Sequence, residues 1–354
     1  FSSIEPSELG MMSEKIRQAE SIIGKNKRKI NSLEKKYASE MKRTLYSTKD
    51  ISKGEKIDRK NLSGKRTGSF ESTLSLLKYE NLITNKNINQ NNQINTSDID
   101  LKVGIFCNAR MTSSRLKNKG LLKIDNDTTA ISFLLKRIKM YERDLGHLVL
   151  ATTKQQIDEQ LLLEANKIDI DTFAGPVEDV MGRMVECSEH YNWDIIVRVT
   201  GDDLFISCEY IEIAKEYHLK NNNDFTTIKG LPIGMACEII DARSLKKIHK
   251  CVVNKNQTEY LTYFLNSEHT CKNGELIAYE NNKYNKLRLT LDYKEDYQLM
   301  KILSKNLKDK YGDRYHTTDE VIKELISINP KWVHKEELTK FKQSQIDTSL
   351  VYRQ

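Results

Sequence analysis

Apolar residues recur along this chain in two rhythms, and the change from one to the other divides it. Pro6 and Ser7 precede Leu9, Met12, Ile16, Ala19 and Ile23, a helical stripe stopped by Gly24. A second stripe, Ile30, Leu33, Tyr37 and Met41, sits among Lys and Glu and predicts a solvated amphipathic helix. Two narrow stripes cannot close a core alone, so both helices are expected to pack on something else. From Leu45 to Ile99, short β-prone runs alternate with polar turns, and the pattern repeats without gaps. Leu45 falls on Leu82, Lys49 on Lys86, Ile51 on Ile88 and Ile57 on Ile94, an offset of 37 positions. This predicts a small pseudo-symmetric β domain, with a loop at 64–70 between the copies that carries Lys65 and Arg66.

From Val103 onward, compact apolar runs alternate with 3.6-residue stripes. Strands are predicted at Val103–Cys107, His147–Ala151, Ile170–Phe173, Ile195–Val199 and Leu287–Leu291. Helices are predicted over about 129–143, through Ile157, Leu161 and Ala165, and through Val180 and Met184. This βαβα rhythm predicts an α/β fold with a mostly parallel, Rossmann-like sheet covered by helices on both faces. The polar tail after Pro330 has only Trp332, Val333, Phe341 and Tyr352 as anchors, and predicts a partly docked helix and then loop.

Composition narrows the function classes. Lys and Arg total 57 against 50 Asp and Glu, and a net charge of +7 over 354 residues is too mild to argue for nucleic acid, although it suits small anionic substrates. The six cysteines show no CxxC or Cys/His metal spacing and read as reduced, mostly buried thiols of a cytoplasmic protein. No apolar run reaches the roughly 18 residues that span a bilayer, so no membrane partner is expected. The chain begins at Phe1 rather than Met, and residues upstream are therefore expected.

Candidate chemistry sits at the strand ends, where open α/β sheets bind ligands. After the first strand of the alternating part, a loop carries Arg110, Ser113, Ser114, Arg115 and Lys119, cations and hydroxyls suited to a triphosphate. The strand at 195–199 runs into Gly201, Asp202 and Asp203, and that at 287–291 into Asp292, with Glu295 and Asp296 behind. Carboxylates from two strands can converge on one hard cation, and Mg²⁺ takes one or two of them plus phosphate oxygens. Asp202 and Asp292 are the favoured ligands; Asp203 and Glu295 read equally well as caps or solvated charges, and Asp296 as structural.

Two resemblances follow from these residues. FSSIEPSEL at Phe1, IRQAESIIG at Ile16 and KRTLYSTKDISKGEKIDRKNLSGKR at Lys42 resemble the carboxyl end of a sialic acid synthase, where a barrel's last helix leads into an antifreeze-like (SAF) β-clip domain. That resemblance implies that Arg66 reaches a substrate pocket in the partner subunit of a homodimer, although Thr67 replaces the family's proline. ARMTSSRLKNK at Ala109, VLATT at Val149, FAGPVEDVMGR at Phe173, VRVTGDD at Val197 and LRLTLDYKED at Leu287 resemble cytidylyltransferases of the spore-coat polysaccharide family, relatives of the enzymes that make CMP-Kdo and CMP-sialic acid.

The second resemblance implies a division of labour. Arg110, Ser113, Arg115 and Lys119 would hold the triphosphate of CTP, and Asp202 and Asp292 would hold Mg²⁺. Ala151 and Thr152 would border the cytosine, Gly175, Asp179 and Arg183 would close the nucleotide side, and Gly234 and Glu238 would contact an acidic acceptor sugar. The loop departs from the family, with Thr112 for a usual Gly and Lys117-Asn118 for Pro-Gly, and Glu259-Tyr260 stands for a Glu-His pair. The implied organisation is the helical end of a synthase (1–42), an antifreeze-like domain (43–100), a cytidylyltransferase domain (101–329) and a tail (330–354). The implied reaction passes CMP from CTP to a nonulosonic or Kdo-like acid, with release of pyrophosphate. Transfer to another sugar or from another base, and a non-catalytic assembly role, remain open alternatives.

Overall fold

The computed structural model describes residues 4–23, 31–66, 73–79, 82–113, 115–258, 264–265, 271–280, 283–284 and 286–328. The tail after Pro330, Ser114, the Glu259-Tyr260 pair and most of the loop between the repeat copies lie outside the described residues. A seven-stranded sheet organises the larger part of the chain. Its strands are β3 (Val103–Asn108), β4 (His147–Thr153), β5 (Asp171–Gly175), β6 (Ile195–Thr200), β7 (Phe225–Lys229), β8 (Glu238–Asp241) and β9 (Asn273–Ile277), in the order β5-β4-β3-β6-β8-β7-β9. The first four run parallel, β8 is antiparallel to both β6 and β7, and β9 is parallel to β7. The fold is α/β with a mixed but largely parallel sheet.

Strand alternation sorts the core onto two faces. Ile105 and Cys107 of β3 and Ile195, Val197 and Val199 of β6 face one core, while Phe106 and Ile196 face the other. Both faces are buried, which explains why these strands read as continuous apolar runs. The first face is covered by α3 (Ala130–Lys139), α4 (Glu159–Asn166), α6 (Cys208–Asn221), α8 (Lys294–Tyr311) and α9 (Thr318–Ile328). The second is covered by α5 (Val180–His190) and α7 (Ala242–Cys251).

Three expectations are corrected. The helix predicted to reach 143 ends at Lys139, after which Asp144 accepts the Gly146 N–H and turns the chain into β4. Ile157 is 47% exposed, because a 3₁₀ turn at Gln156–Asp158 shifts the phase before α4 and only Leu161 and Ala165 are buried. Residues 287–291 form no strand. Among them only Arg288 bridges a neighbour, Ile233, and the Leu291 N–H goes to the Asp202 carbonyl at 2.9 Å. The partner segment contains Pro232 and the positive-φ Gly234, so a ladder cannot propagate along it.

The amino-terminal part holds α1 (Pro6–Ile23), α2 (Ser32–Glu40) and the hairpin β1 (Arg43–Ser47) with β2 (Leu62–Arg66). α1 buries none of its residues, and Leu33 and Tyr37 of α2 are also exposed, so the expected packing of these stripes does not occur within the described residues. The repeat is arranged about a local two-fold. Ile51 and Ile88, equivalent by the 37-residue offset, exchange N–H···O bonds of 2.8 Å. Ile57 N–H to Leu82 O is matched by Ile94 N–H to Leu45 O, both 2.8 Å, and Thr48 to Asn61 by Asn85 to Asp98. This unit meets the sheet where Lys78 pairs with the buried Asp241 at 2.9 Å and Arg243 donates to the Lys78 carbonyl.

Candidate active site

The chain runs from β3 to β4 to β5 on one side and returns to β6 on the other, so the loops leaving β3 and β6 diverge at a topological switch point. At its root the Gly201 N–H donates to the Asn108 carbonyl at 2.8 Å. A Cβ on Gly201 would lie 2.7 Å from the Ala109 methyl, so only glycine lets the two loops approach this closely. The basic loop after β3 turns back through Asn118 (φ +52°) into a 3₁₀ turn that begins with Lys119.

Lys119 then bridges two carboxylates from distant parts of the chain. Its Nζ is 2.5 Å from Asp202 Oδ2, just beyond β6, and 3.2 Å from Asp292 Oδ1. Arg115 reaches the same Asp292 oxygen at 2.8 Å, and Arg288 Nη2 lies 2.6 Å from its other oxygen. Arg288 also approaches Asp296 at 3.4 Å, and both guanidiniums lie over the Tyr293 ring, at 5.4 Å for Arg115 and 5.9 Å for Arg288. Asp296 accepts the backbone N–H groups of Asp292 and Tyr293 and so caps α8, in a structural role. Glu295 is exposed.

Charge and burial set the protonation states here. Burial pushes the Asp292 carboxyl up, but Lys119, Arg115 and Arg288 outweigh it and hold the group below the usual carboxylate range. Burial likewise pushes Lys119 down, and its two aspartates more than reverse this. Asp203 faces the opposite balance: burial first, then the neighbouring Asp202, keep it well above the ordinary Asp value. Among the described residues no group of three or more His, Cys, Asp or Glu gathers as a metal site. The donor set is two hard oxygens, from Asp202 and Asp292, converging on one cationic point.

The other sequence-predicted residues flank this centre. Gly234 (φ +91°) turns the segment that pairs with Leu287 and Leu289, so it lies against the backbone leading to Asp292. Glu238 opens β8 and pairs at 2.5 Å with Arg198 of β6. Ala151 stands opposite Asn108 in the ladder and accepts the Ala109 N–H at 3.0 Å. The Thr152 hydroxyl is fully buried with no hydrogen-bond partner among the described residues. Arg110 and Ser113 are half-buried, with the Ser113 N–H on the Met111 carbonyl.

On the far side, Arg183 is 1% exposed and wholly engaged by the protein. It donates to Asn108 Oδ1 at 2.7 Å, to Pro176 O at 2.7 Å and to Val177 O at 2.9 Å. Burial, then Arg110, lowers its pKa. Gly175 gives it room, since a Cβ there would lie 2.6 Å from Arg183 Cγ. Asp179 caps α5 through Gly182 N–H and takes His249 Nε2 at 2.7 Å and the Thr258 hydroxyl at 2.9 Å. These three residues are packed and hydrogen-bonded around the start of α5. Arg66 stands exposed at the end of β2 opposite Arg43, and no contact among the described residues joins it to Asp202 or Asp292.

Sequence reasoning missed Arg288, Arg198 and Asp158. The first two left a signal, a charged residue in an otherwise apolar run (LRLTLD and IIVRVT). Asp158 left none, since it reads as a cap for α4 but sends its side chain elsewhere.

Comparisons with known proteins show the family of the chain. The family described as cytidylyltransferase matches residues 105–350. A protein of Methanocaldococcus jannaschii described as uncharacterized is 35% identical over 205 residues, 58% of this chain and 83% of its own length. The spore coat polysaccharide biosynthesis protein SpsF of Bacillus subtilis is 28% identical over 227 residues, 63% of this chain and 92% of its own. Among solved structures, a cytidylyltransferase from Leptospira borgpetersenii serovar Hardjo-bovis superposes with a TM-score of 0.59 at 28% identity, over 67% of this chain and 100% of that one.

Proposed function

The chain belongs to the cytidylyltransferase family, and from that premise we propose that it transfers CMP from CTP to an acidic α-keto sugar and releases pyrophosphate. The observation that carries the reading is the Lys119 bridge: one cation satisfies Asp202 and Asp292 together, at the switch point where the sheet offers its crevice. Two converging carboxylates fit Mg²⁺, which keeps few protein ligands and completes its shell with phosphate oxygens and water. A bound Mg²⁺ would neutralise phosphate charge and lower the pKa of the attacking hydroxyl.

In the proposed reaction the sugar hydroxyl gives up its proton to solvent and its oxygen bonds to the α-phosphorus, as the in-line bond from that phosphorus to the departing pyrophosphate breaks. Such transfer is catalysed mainly by positioning and charge neutralisation. Asp202 and Asp292 would hold the cation. Lys119 and Arg115, which neutralise those carboxylates in the structure, would turn their charge to the phosphates, with Arg110 and Ser113 further along the same loop. The wall of Gly175, Asp179 and Arg183 would keep the nucleotide side of the crevice fixed, and the buried Thr152 hydroxyl next to Ala151 would border the base. Gly234 and Glu238 would face the acceptor, with Arg198 beside Glu238.

For the amino-terminal unit, the local two-fold of hydrogen bonds supports an antifreeze-like domain, carried behind the last helix of a synthase that would make the acid. The likeness to a spore-coat polysaccharide protein supports a product destined for surface polysaccharide. The test is mass analysis of the products from CTP, Mg²⁺ and a panel of nonulosonic and octulosonic acids. A product heavier than one acid by a CMP unit supports the proposal. Pyrophosphate formed only with neutral sugars, or only with another nucleotide, overturns the acid or the base assignment.

A further inference from the structure

Asp158 is a fully buried carboxylate with no ion-pair partner among the described residues, an expensive arrangement for a fold to keep. It ends the 3₁₀ turn after β4 at the N-cap position, where an aspartate ordinarily caps the next helix, yet it makes no side-chain cap bond to α4. Instead Oδ1 accepts the Met111 N–H at 2.7 Å, across 47 positions of sequence, and Oδ2 accepts the Thr153 hydroxyl. The Thr153 hydroxyl in turn accepts the Gln155 N–H, which fixes the carboxylate from behind. Met111 is the buried root of the basic loop, with Arg110 before it and Ser113, Arg115 and Lys119 beyond. That loop has Thr112 and no glycine before Gly120, and its root at Met111 is bonded to a residue from outside the loop.

The geometry points to Asp158 as a positioning residue for the triphosphate: it pins Met111 to the end of β4 and thereby sets the loop that carries Arg110, Ser113, Arg115 and Lys119. The inference rests on the reading of that loop as the triphosphate site. Asp158 touches no phosphate itself, so its loss displaces the loop and leaves the crevice wall of Asn108, Arg183 and Pro176 bonded as before. The signature is a loss confined to the part of the nucleotide beyond the α-phosphate.

The experiment is titration calorimetry of wild type, Asp158→Ala and Asp158→Asn with CTP and with CMP, in Mg²⁺. Asparagine keeps an oxygen for the Met111 N–H and is expected to bind both nucleotides nearly as wild type does. Alanine is expected to weaken CTP by about ten- to a hundredfold, the scale of a small misplacement of a binding group, and to leave CMP within about twofold. If Asp158→Ala does not fold, Thr153→Val, which removes only the orienting hydroxyl, carries the same test with a smaller loss of about threefold. Unchanged CTP affinity, or equal losses for CTP and CMP, overturns the positioning role while the wild type still binds CTP. A wild type that binds CMP but gains nothing from the added phosphates overturns the underlying loop assignment, and this role with it.

Discussion

Lys119→Met tests the electrostatic centre from two sides. Methionine keeps the length of the side chain and removes the charge, leaving, among the described residues, Asp202 without its ion-pair partner and Asp292 with Arg115 and Arg288. Breaking one side of a buried pair typically costs about 3 to 5 kcal/mol. Here Lys119 is 18% and Asp202 16% exposed, and two arginines remain, so a loss of about 1 to 3 kcal/mol of folding stability is expected. For a domain of this size that is a fall in Tm of roughly 2 to 10 °C. The effect on turnover is larger. Removing one preorganised charge from a transition state that carries pyrophosphate costs about 2 to 4 kcal/mol, which is about 30- to 1000-fold in rate. The assays are thermal unfolding without nucleotide and pyrophosphate release with CTP. Adding Asp202→Asn to Lys119→Met removes the stranded carboxylate and is expected to return part of the lost stability, so the two changes are non-additive. A Lys119→Met enzyme within about threefold of wild-type kcat/KM, or strict additivity of the two variants in stability, would show that Lys119 neutralises neither the carboxylates nor the pyrophosphate.

Two further outcomes follow from the same geometry. Asp203 has a raised carboxyl pKa in the fold, so the native state keeps a proton that the unfolded chain releases, and stability falls as pH rises from the ordinary Asp value near 3.9 through the native one. Asp203→Asn is therefore expected to stabilise the metal-free protein at pH 7 and to add nothing at pH 3, as read by denaturant unfolding at the two pH values; equal gains at both would contradict it. Gly234 holds φ +91°, and a Cβ there would lie 2.5 Å from the Leu289 carbonyl. Gly234→Ala is expected to cost about 1 to 3 kcal/mol and, by shifting the segment that ends in Asp292, to lower kcat/KM; unchanged melting and activity would show that the turn has slack.

The order from β3 to β6 was legible because each buried strand writes a short apolar run and each covering helix a 3.6-residue stripe, whereas β7, β8, β9 and the helices after α5 were not predicted. Ile105, Phe106 and Cys107 sit on both faces of β3 as that pattern requires. The run at 287–291 carried the same signal without being a strand, because pairing depends on a neighbour, and this neighbour contains Pro232 and the left-handed Gly234. The stripes of α1 and α2 predicted a buried face, but periodicity cannot name the surface that covers it. Within the site, Arg115, Lys119, Asp202 and Asp292 were readable because charges just beyond apolar runs have few structural uses. Arg183 and Asp179 were named only through the resemblance, and their bonding partners, the carbonyls of Pro176 and Val177 and the side chains of His249 and Thr258, come from folding alone. Asp158 was hidden because its partner amide belongs to a different loop and any residue could supply that amide.

The central claim is that Asp202 and Asp292 make one cation-dependent nucleotidyl-transfer centre. It is tested most directly by pyrophosphate release with each of the four NTPs, Mg²⁺ and the acid panel, in wild type, Asp202→Asn and Asp292→Asn. The account predicts release with CTP and an acid in the wild type, dependence on Mg²⁺, and a loss of at least about a hundredfold in either variant while the fold is retained. Release that persists in both folded variants, or that does not need the divalent ion, would contradict it.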